Sequence, residues 1–569
     1  MTFSCPTPSP AAPPTGRPRS RTERRAWALL LIAVLAGCAG GPAAQRTASS
    51  SAPQSSEPQD QTARAGAPAP SISEPSRSAP SRSAPSPPQV SAPPTSAPPS
   101  NPPSPEELAA ARRVGAEIHP RILARYGGAL DDPRAAAYVS TIGRRLIDAS
   151  ALRASDRWTF TILDTGEVNA FASPGGYVYV TRGLLTLANK EDDVAAVLGH
   201  ELGHIESRHA EQRLELMRRV GEIRTEAEAQ ARSEGVDLED LERDFRQISQ
   251  VFLARFTQDQ ELEADSDGIE IAALAGYEPI GQARMLERMQ AQSEIEARAV
   301  GAAAASRRMR FLSTHPATPE RLERARRIAA ETPTGPRVRR ADAHLDAVDG
   351  LIFGDDESQG FVRGRDFVHP ELGFRFKAPP GYRLSNSARE VVARHPQGRV
   401  IVFDGRPKNG MSLSEFIRGP WSAELRARFA GLGALSPIER GSNQDFQSRR
   451  AAAPVQVEGG VGRVQIVAFD AGDTIYRLTA LSSDRQAATA AAELEVMSRS
   501  FRRLTDGEPT GARPDRLRVV TVRPGDTVDT LAARLPYARL KTERFRVLNG
   551  LGLLDRVRPG MRVKLIERF

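Results

Sequence analysis

Val197-Leu198-Gly199-His200-Glu201-Leu202-Gly203-His204 decides how the rest of this chain is read. Glu191-Asp192-Asp193 precede it, and acidic residues in a first turn suit the helix dipole, so a helix is expected to start near residue 191. Residues four apart lie on one helix face. His200 and His204 can therefore aim two imidazoles at one ion, and two nitrogen ligands at this spacing suit Zn²⁺. Glu201 lies beside that face, close enough to act on a water held there. A catalytic zinc takes three protein ligands and keeps one position open. The longer motif that adds a third histidine on the same segment needs Gly at 207 and His at 210, where this chain has Ser207 and Ala210. His209 is out of register by one and is expected as a surface helix residue. The third ligand must come from elsewhere in the chain.

Glu261-Leu262-Glu263-Ala264-Asp265 is the best source. Glu261 and Asp265 share one helix face. One carboxylate could ligate the metal while the other accepts the free N–H of a ligand histidine. Glu263 points about 200° away around the helix and is expected to be a bystander.

Four motifs thus follow in order: Asn169-Ala170-Phe171-Ala172-Ser173-Pro174-Gly175-Gly176, the His200–His204 segment, Glu261–Asp265, and Ser313-Thr314-His315-Pro316. Over residues 105–335 they resemble the CAAX prenyl protease type I / HtpX-like zinc metallopeptidases, nearest the periplasmic BepA-like branch. The resemblance implies a mostly α-helical α+β gluzincin peptidase domain. It implies one Zn²⁺ per chain, held by His200, His204 and Glu261, with Glu201 as general base. It places His315 where a histidine can approach the metal or the oxyanion, and Arg321 where the family has a candidate transition-state arginine. Asp265 is then the carboxylate behind a ligand histidine. Asn169, Gly176, Tyr177, Val178 and Tyr179 are the candidate substrate contacts, and 177–180 is expected to be an edge strand able to pair with an extended substrate. Two departures stand out. HtpX-type relatives are embedded in membranes, and no segment after the N-terminus here reaches the ~18 apolar residues a spanning helix needs. The BepA-like branch carries helical repeats after its peptidase, and no repeat period is visible here.

The N-terminus reads as a targeting segment. Arg17, Arg19, Arg21, Arg24 and Arg25 precede a short apolar run over 27–36. Leu35-Ala36-Gly37-Cys38 resembles a bacterial lipobox, which makes residues 1–37 a lipoprotein signal and Cys38 the lipidated residue. Ala39 follows, where inner-membrane retention typically uses Asp, so the inner leaflet of the outer membrane is the expected location. Of the two cysteines only Cys38 would remain, which excludes an intrachain disulfide and a cysteine-based metal site. Residues 39–104, rich in Pro, Ser and Ala, cannot bury a core and read as a tether spanning roughly 45 Å as a flexible coil.

The charge is uneven. The whole chain is +8, residues 1–37 carry five Arg and one Glu, and residues 516–569 carry thirteen Lys/Arg and five Asp/Glu, which leaves −4 between them. The basic charge is local, so no nucleic-acid partner is read from it.

Residues 105–335 are followed by an expected linker at 336–350 and a small α+β domain at 351–505 of no evident chemistry. Residues 516–569 resemble a LysM module through Val522-Arg523-Pro524-Gly525-Asp526-Thr527, Leu548-Asn549-Gly550-Leu551 and Arg558-Pro559-Gly560. The resemblance implies a βααβ fold and makes peptidoglycan a candidate partner. The sequence-based expectation is a multidomain, lipid-anchored zinc endopeptidase of the cell envelope that cleaves unfolded or misassembled envelope proteins. The competing expectation is a wall-binding or chaperone-like scaffold whose zinc site is autoinhibited or structural, closed by His315 as a fourth ligand.

Overall fold

The computed structural model describes residues 104–568 except 155–156, 235–237, 301–308, 334–341, 430, 458–459, 506 and 509–512. The signal segment, Cys38, the tether up to residue 103 and the first part of the 336–350 linker lie outside the described residues. The chain divides into two compact units, one of which holds Leu214–Arg255 and the other Pro99–Arg213 with Phe256–Phe569. The first is helical, and Ile223, Ala231 and Phe245 form its apolar cluster.

In the second unit, local signals set the first elements. Ser104 caps the helix Pro105–Tyr126 by accepting from Glu107 N, and Asp132 caps Pro133–Ala149, which has Pro in its first turn. A three-stranded sheet follows, with β1 at Thr159–Leu163, β2 at Ala170–Ser173 and β3 at Tyr177–Thr181. Its order is β1-β3-β2, with β3 parallel to β1 and antiparallel to β2. The expectation of an edge strand at 177–180 is corrected here, because β3 is the central strand. The reason is the turn: Gly175 and Gly176, both at φ 86°, fold β2 back onto β3 as a hairpin and leave β2 outside.

Residues 361–503 form a seven-stranded antiparallel sheet and a four-stranded sheet, with the helix Ala487–Ser500 packed against them. Phe367, Phe374, Phe376, Phe403, Phe469 and Phe501 fill the core between them.

The C-terminal residues form strand Asp515–Thr521, helices Val528–Ala533 and Lys541–Leu548, and strand Arg562–Arg568, in the order the residues predict. They do not stand apart as a separate module. Strand Asp515–Thr521 pairs with Arg562–Arg568 on one side and with Ile352–Phe353 on the other. Leu517, Phe545 and Leu565 belong to one apolar core with Val139, Leu184 and Leu198. Lys564, fully buried, donates to the carbonyls of Thr186 at 2.7 Å, Leu187 at 3.4 Å and Ala188 at 2.6 Å, where the short helix Arg182–Leu187 ends. The second half of the expected linker is also ordered: Ala343–Val348 is a helix, and its His344 Nε2 lies 2.8 Å from Ala188 O.

Candidate active site

The His-Glu segment sits on the helix Glu191–Glu206. Asp193 anchors its start by accepting from Asn189 N at 2.9 Å and by ion pairs to Arg284 at 2.9 Å and Arg288 at 2.7 Å. The facing helix is Leu238–Leu274. Glycines let the two backbones touch. A Cβ on Gly199 would lie 2.8 Å from Gly268 O, and one on Gly203 would lie 2.9 Å from Ala264 O. This close approach carries Glu261 to the two histidines.

His200 Nε2 and His204 Nε2 are 3.2 Å apart, and each lies 3.5 Å from an oxygen of Glu261. His315, just past the short helix Arg310–Thr314, puts Nδ1 3.3 Å from His200 Nε2 and 2.9 Å from Glu261 Oε1. Donor atoms of His200, His204, Glu261 and His315 all lie within 4.8 Å of one another. The 3.2 Å and 3.5 Å spacings among His200, His204 and Glu261 are close to what tetrahedral ligands at about 2.0–2.2 Å from one zinc ion require, and the nitrogen and oxygen donors suit it. Glu201 is buried beside them, and its Oε1 has no hydrogen-bond partner and lies 3.6 Å from His315 Nε2.

A second layer holds the donors. His200 Nδ1 lies 3.0 Å from Asp265 Oδ1. Arg321 grips Asp265 through Nε and Nη2, both at 2.8 Å, and Gln282 donates to Asp265 Oδ1 at 2.6 Å.

This geometry has relatives. Residues 133–329 match the profile of Peptidase family M48. That region is similar to M48 peptidase domains. The "Beta-barrel assembly-enhancing protease" of Yersinia pestis is 28% identical over 238 residues, 40% of this chain and 46% of that protein. The "Mitochondrial metalloendopeptidase OMA1" of Schizosaccharomyces pombe is 28% identical over 216 residues, 37% of this chain and 59% of that protein. The assembly-enhancing protease of Escherichia coli K12 is 29% identical over 206 residues, 35% of this chain and 40% of that one. The chain spans about half the length of the relatives it matches. M48 peptidases use zinc, and the donor set of this domain fits it.

Electrostatics prepares the four-donor cluster for a cation. Burial pushes His204 down to about 3, so it stays neutral, as a ligand must be. Burial also opposes charge on His200, but hydrogen bonds to Asp265 and Glu261 outweigh it and hold that imidazole at about 9. Burial would raise Glu261, yet hydrogen bonds from His200, His204 and His315 keep it well below the carboxylate range. Glu201 is raised, chiefly by burial. A consequence follows for metal loading. At pH 7.5 His200 carries a proton in the metal-free site, and a ligand imidazole cannot. Zinc binding should therefore release on the order of one proton per chain, read as a buffer-dependent binding enthalpy in calorimetry. Equal enthalpies in buffers of different ionisation heat would contradict the assignment.

Other expected residues fall less simply. Arg321 is 1% exposed, and Asp265, Glu261 at 2.9 Å and Pro316 O at 3.0 Å take all three of its nitrogens, so it is committed to the carboxylates rather than turned to a substrate. Val178 is core, and Tyr177 and Tyr179 stack on His119. Asn169 is buried, accepts nothing from Tyr126 but donates to its hydroxyl at 3.4 Å, and Gly176 closes the hairpin. His209 is not a surface residue: it is 3% exposed and lies 2.8 Å from His204. Glu263 is no bystander either, since its Oε2 lies 3.2 Å from His209 Nε2. Gln282 and the Gly199, Gly203 and Gly268 contact escaped the sequence reading. Gly199 and Gly203, four apart on the motif helix, were the available signal for that contact.

Proposed function

We propose that this chain is a zinc metalloendopeptidase of the bacterial cell envelope, anchored by lipid at Cys38, that hydrolyses peptide bonds of unfolded or misassembled envelope proteins. The observation that carries this reading is the four-donor cluster with the buried Glu201 carboxylate beside it, whose Oε1 accepts no hydrogen bond. His200, His204 and Glu261 would hold the metal. Bound zinc would acidify a water and polarise a peptide carbonyl. Glu201 takes the proton of the attacking water at Oε1 and returns it to the leaving amine. Asp265 and Arg321 keep His200 and Glu261 aimed. His315, with Nε2 toward Glu201, is placed to meet negative charge developing on the substrate.

β2 takes the role first given to Tyr177–Val180. It is an outer strand, the motif helix packs on it, and Val168 just before it accepts from Phe311 N at 2.9 Å. Phe311 stacks on His315 with ring centres 4.6 Å apart, so β2 begins beside the donor cluster. Adding a strand there demands an extended substrate, which favours unfolded chains. Similarity to the assembly-enhancing proteases supports the envelope setting. No helix among the described residues is long and apolar enough to cross a membrane. Residues 516–569 would contact peptidoglycan and, being part of the same core, would hold the peptidase at the wall.

The test is cleavage of unfolded casein by the purified protein. The expected result is cleavage that a zinc chelator stops and added zinc restores. The place of His315 in the cluster favours one competing reading, a site closed by four ligands. Casein left intact by fully zinc-loaded protein would favour it.

A further inference from the structure

Two side chains beside the donor cluster have no part in the chemistry above, yet they are built against it. His204 points Nε2 into the donor cluster, and its Nδ1 lies 2.8 Å from His209 Nδ1. His209 Nε2 lies in turn 3.2 Å from Glu263 Oε2. The chain of contacts runs from a metal ligand to a carboxylate through one histidine.

Proton placement gives the chain a direction. A nitrogen that ligates zinc carries no proton, so His204 must keep its proton on Nδ1. That N–H needs an acceptor, and His209 Nδ1 supplies one. His209 must then carry its own proton on Nε2, which donates to Glu263. We propose that His209 and Glu263 are positioning residues that lock His204 in its ligating tautomer and orientation. Asp265 does the same for His200 by direct contact.

The backbone is shaped for this contact. The motif helix ends at Glu206, and Arg208 turns left-handed at φ 54°, one of three non-glycine residues with positive φ among the described residues. On an unbroken helix residue 209 would stand about 140° around from residue 204. The break folds His209 back beneath His204 instead. Ser207 Oγ donates to Asp267 Oδ2 at 2.7 Å, Gln212 donates to Ser207 O at 2.7 Å, and Gln260 donates to His209 O at 3.2 Å. The bonds to Asp267 and from Gln260 tie the turn to the helix that carries Glu261 and Glu263.

The inference rests on the zinc reading of the cluster, and its test reads metal affinity, so it stands or falls apart from peptidase activity. His209→Phe, His209→Asn, Glu263→Gln and Glu263→Ala are compared by zinc competition against a chromophoric chelator, by the absorption spectrum of the cobalt-loaded protein, and by melting of the metal-free protein. His209→Phe is expected to bind zinc about 10–100-fold more weakly and to change the cobalt spectrum. Asn carries an oxygen near the place of Nδ1, so His209→Asn should recover most of the affinity. Glu263→Gln, which keeps an acceptor, should bind more tightly than Glu263→Ala. Zinc affinity of His209→Phe within about twofold of the unsubstituted protein would overturn the proposal. So would His209→Asn binding as weakly as His209→Phe at equal melting temperature, since packing alone would then explain the loss. If His209→Phe does not fold, the Glu263 pair decides, and equal affinity for Glu263→Gln, Glu263→Ala and the unsubstituted protein overturns it.

Discussion

Glu201→Gln is expected to keep its zinc and to lose about 10²–10⁴-fold in kcat/KM on an unfolded protein substrate. The two side chains have the same shape, so the helix Glu191–Glu206 and the donors at His200 and His204 stay in place. What is lost is the proton acceptor. Glu201 Oε1 is buried and has no hydrogen-bond partner, so nothing in the site competes for the proton it is to receive. Burial also raises its carboxyl, which makes it a stronger base than an exposed glutamate. The sign of the pH effect follows. A base with a raised pKa is protonated, and so inactive, at a higher pH than usual. The acid limb of kcat/KM should therefore lie above the ordinary glutamate range and should vanish in the variant. Zinc content by elemental analysis and initial rates across pH make the check. Activity within about tenfold of the unsubstituted protein would move the base elsewhere.

Truncation at residue 510 is expected to cost the peptidase its fold as well as its tail. Eleven fully or nearly buried apolar residues between Leu517 and Ile566 would leave the shared core. A fully buried aliphatic or aromatic side chain contributes about 1.5–3 kcal/mol, against about 5–15 kcal/mol for a whole domain. Lys564 would also leave the carbonyls of Thr186, Leu187 and Ala188, just before the helix that carries the ligands. A buried carbonyl without a partner costs about 1–3 kcal/mol. The truncated protein should melt much lower, or aggregate, and hold less zinc. Lys564→Met should show the milder form, a drop of several degrees in Tm at unchanged C-terminal length. A truncated protein that melts and binds zinc like the full chain would refute the shared core. The same argument makes truncation a poor test of wall binding. Substitution of Leu553 and Leu554, 86% and 94% exposed on the C-terminal loop, probes that surface without opening the core.

The sequence by itself determined the candidate donor residues of this protein and its local elements. Helix periodicity is a short-range rule, so His200 and His204 on one face, and Glu261 with Asp265 on another, could be paired from spacing alone. Caps and turns are also local, and Ser104, Asp132, Thr318 and the Gly175-Gly176 turn sit where the residues put them. Tertiary structure alone decided which strand is central, since sheet order depends on how a hairpin folds back rather than on the pattern within a strand. It decided that Arg321 serves the carboxylates. It joined residues 515–568 to the peptidase, because Lys564 finds its acceptors 376 to 378 residues away in the chain. It also gave His209 and Glu263 a partner in each other. Glu263 does point away from Glu261, as the helix geometry requires. A left-handed turn at Arg208 then brings His209 to meet it, and no periodicity announces a turn made by one residue's φ.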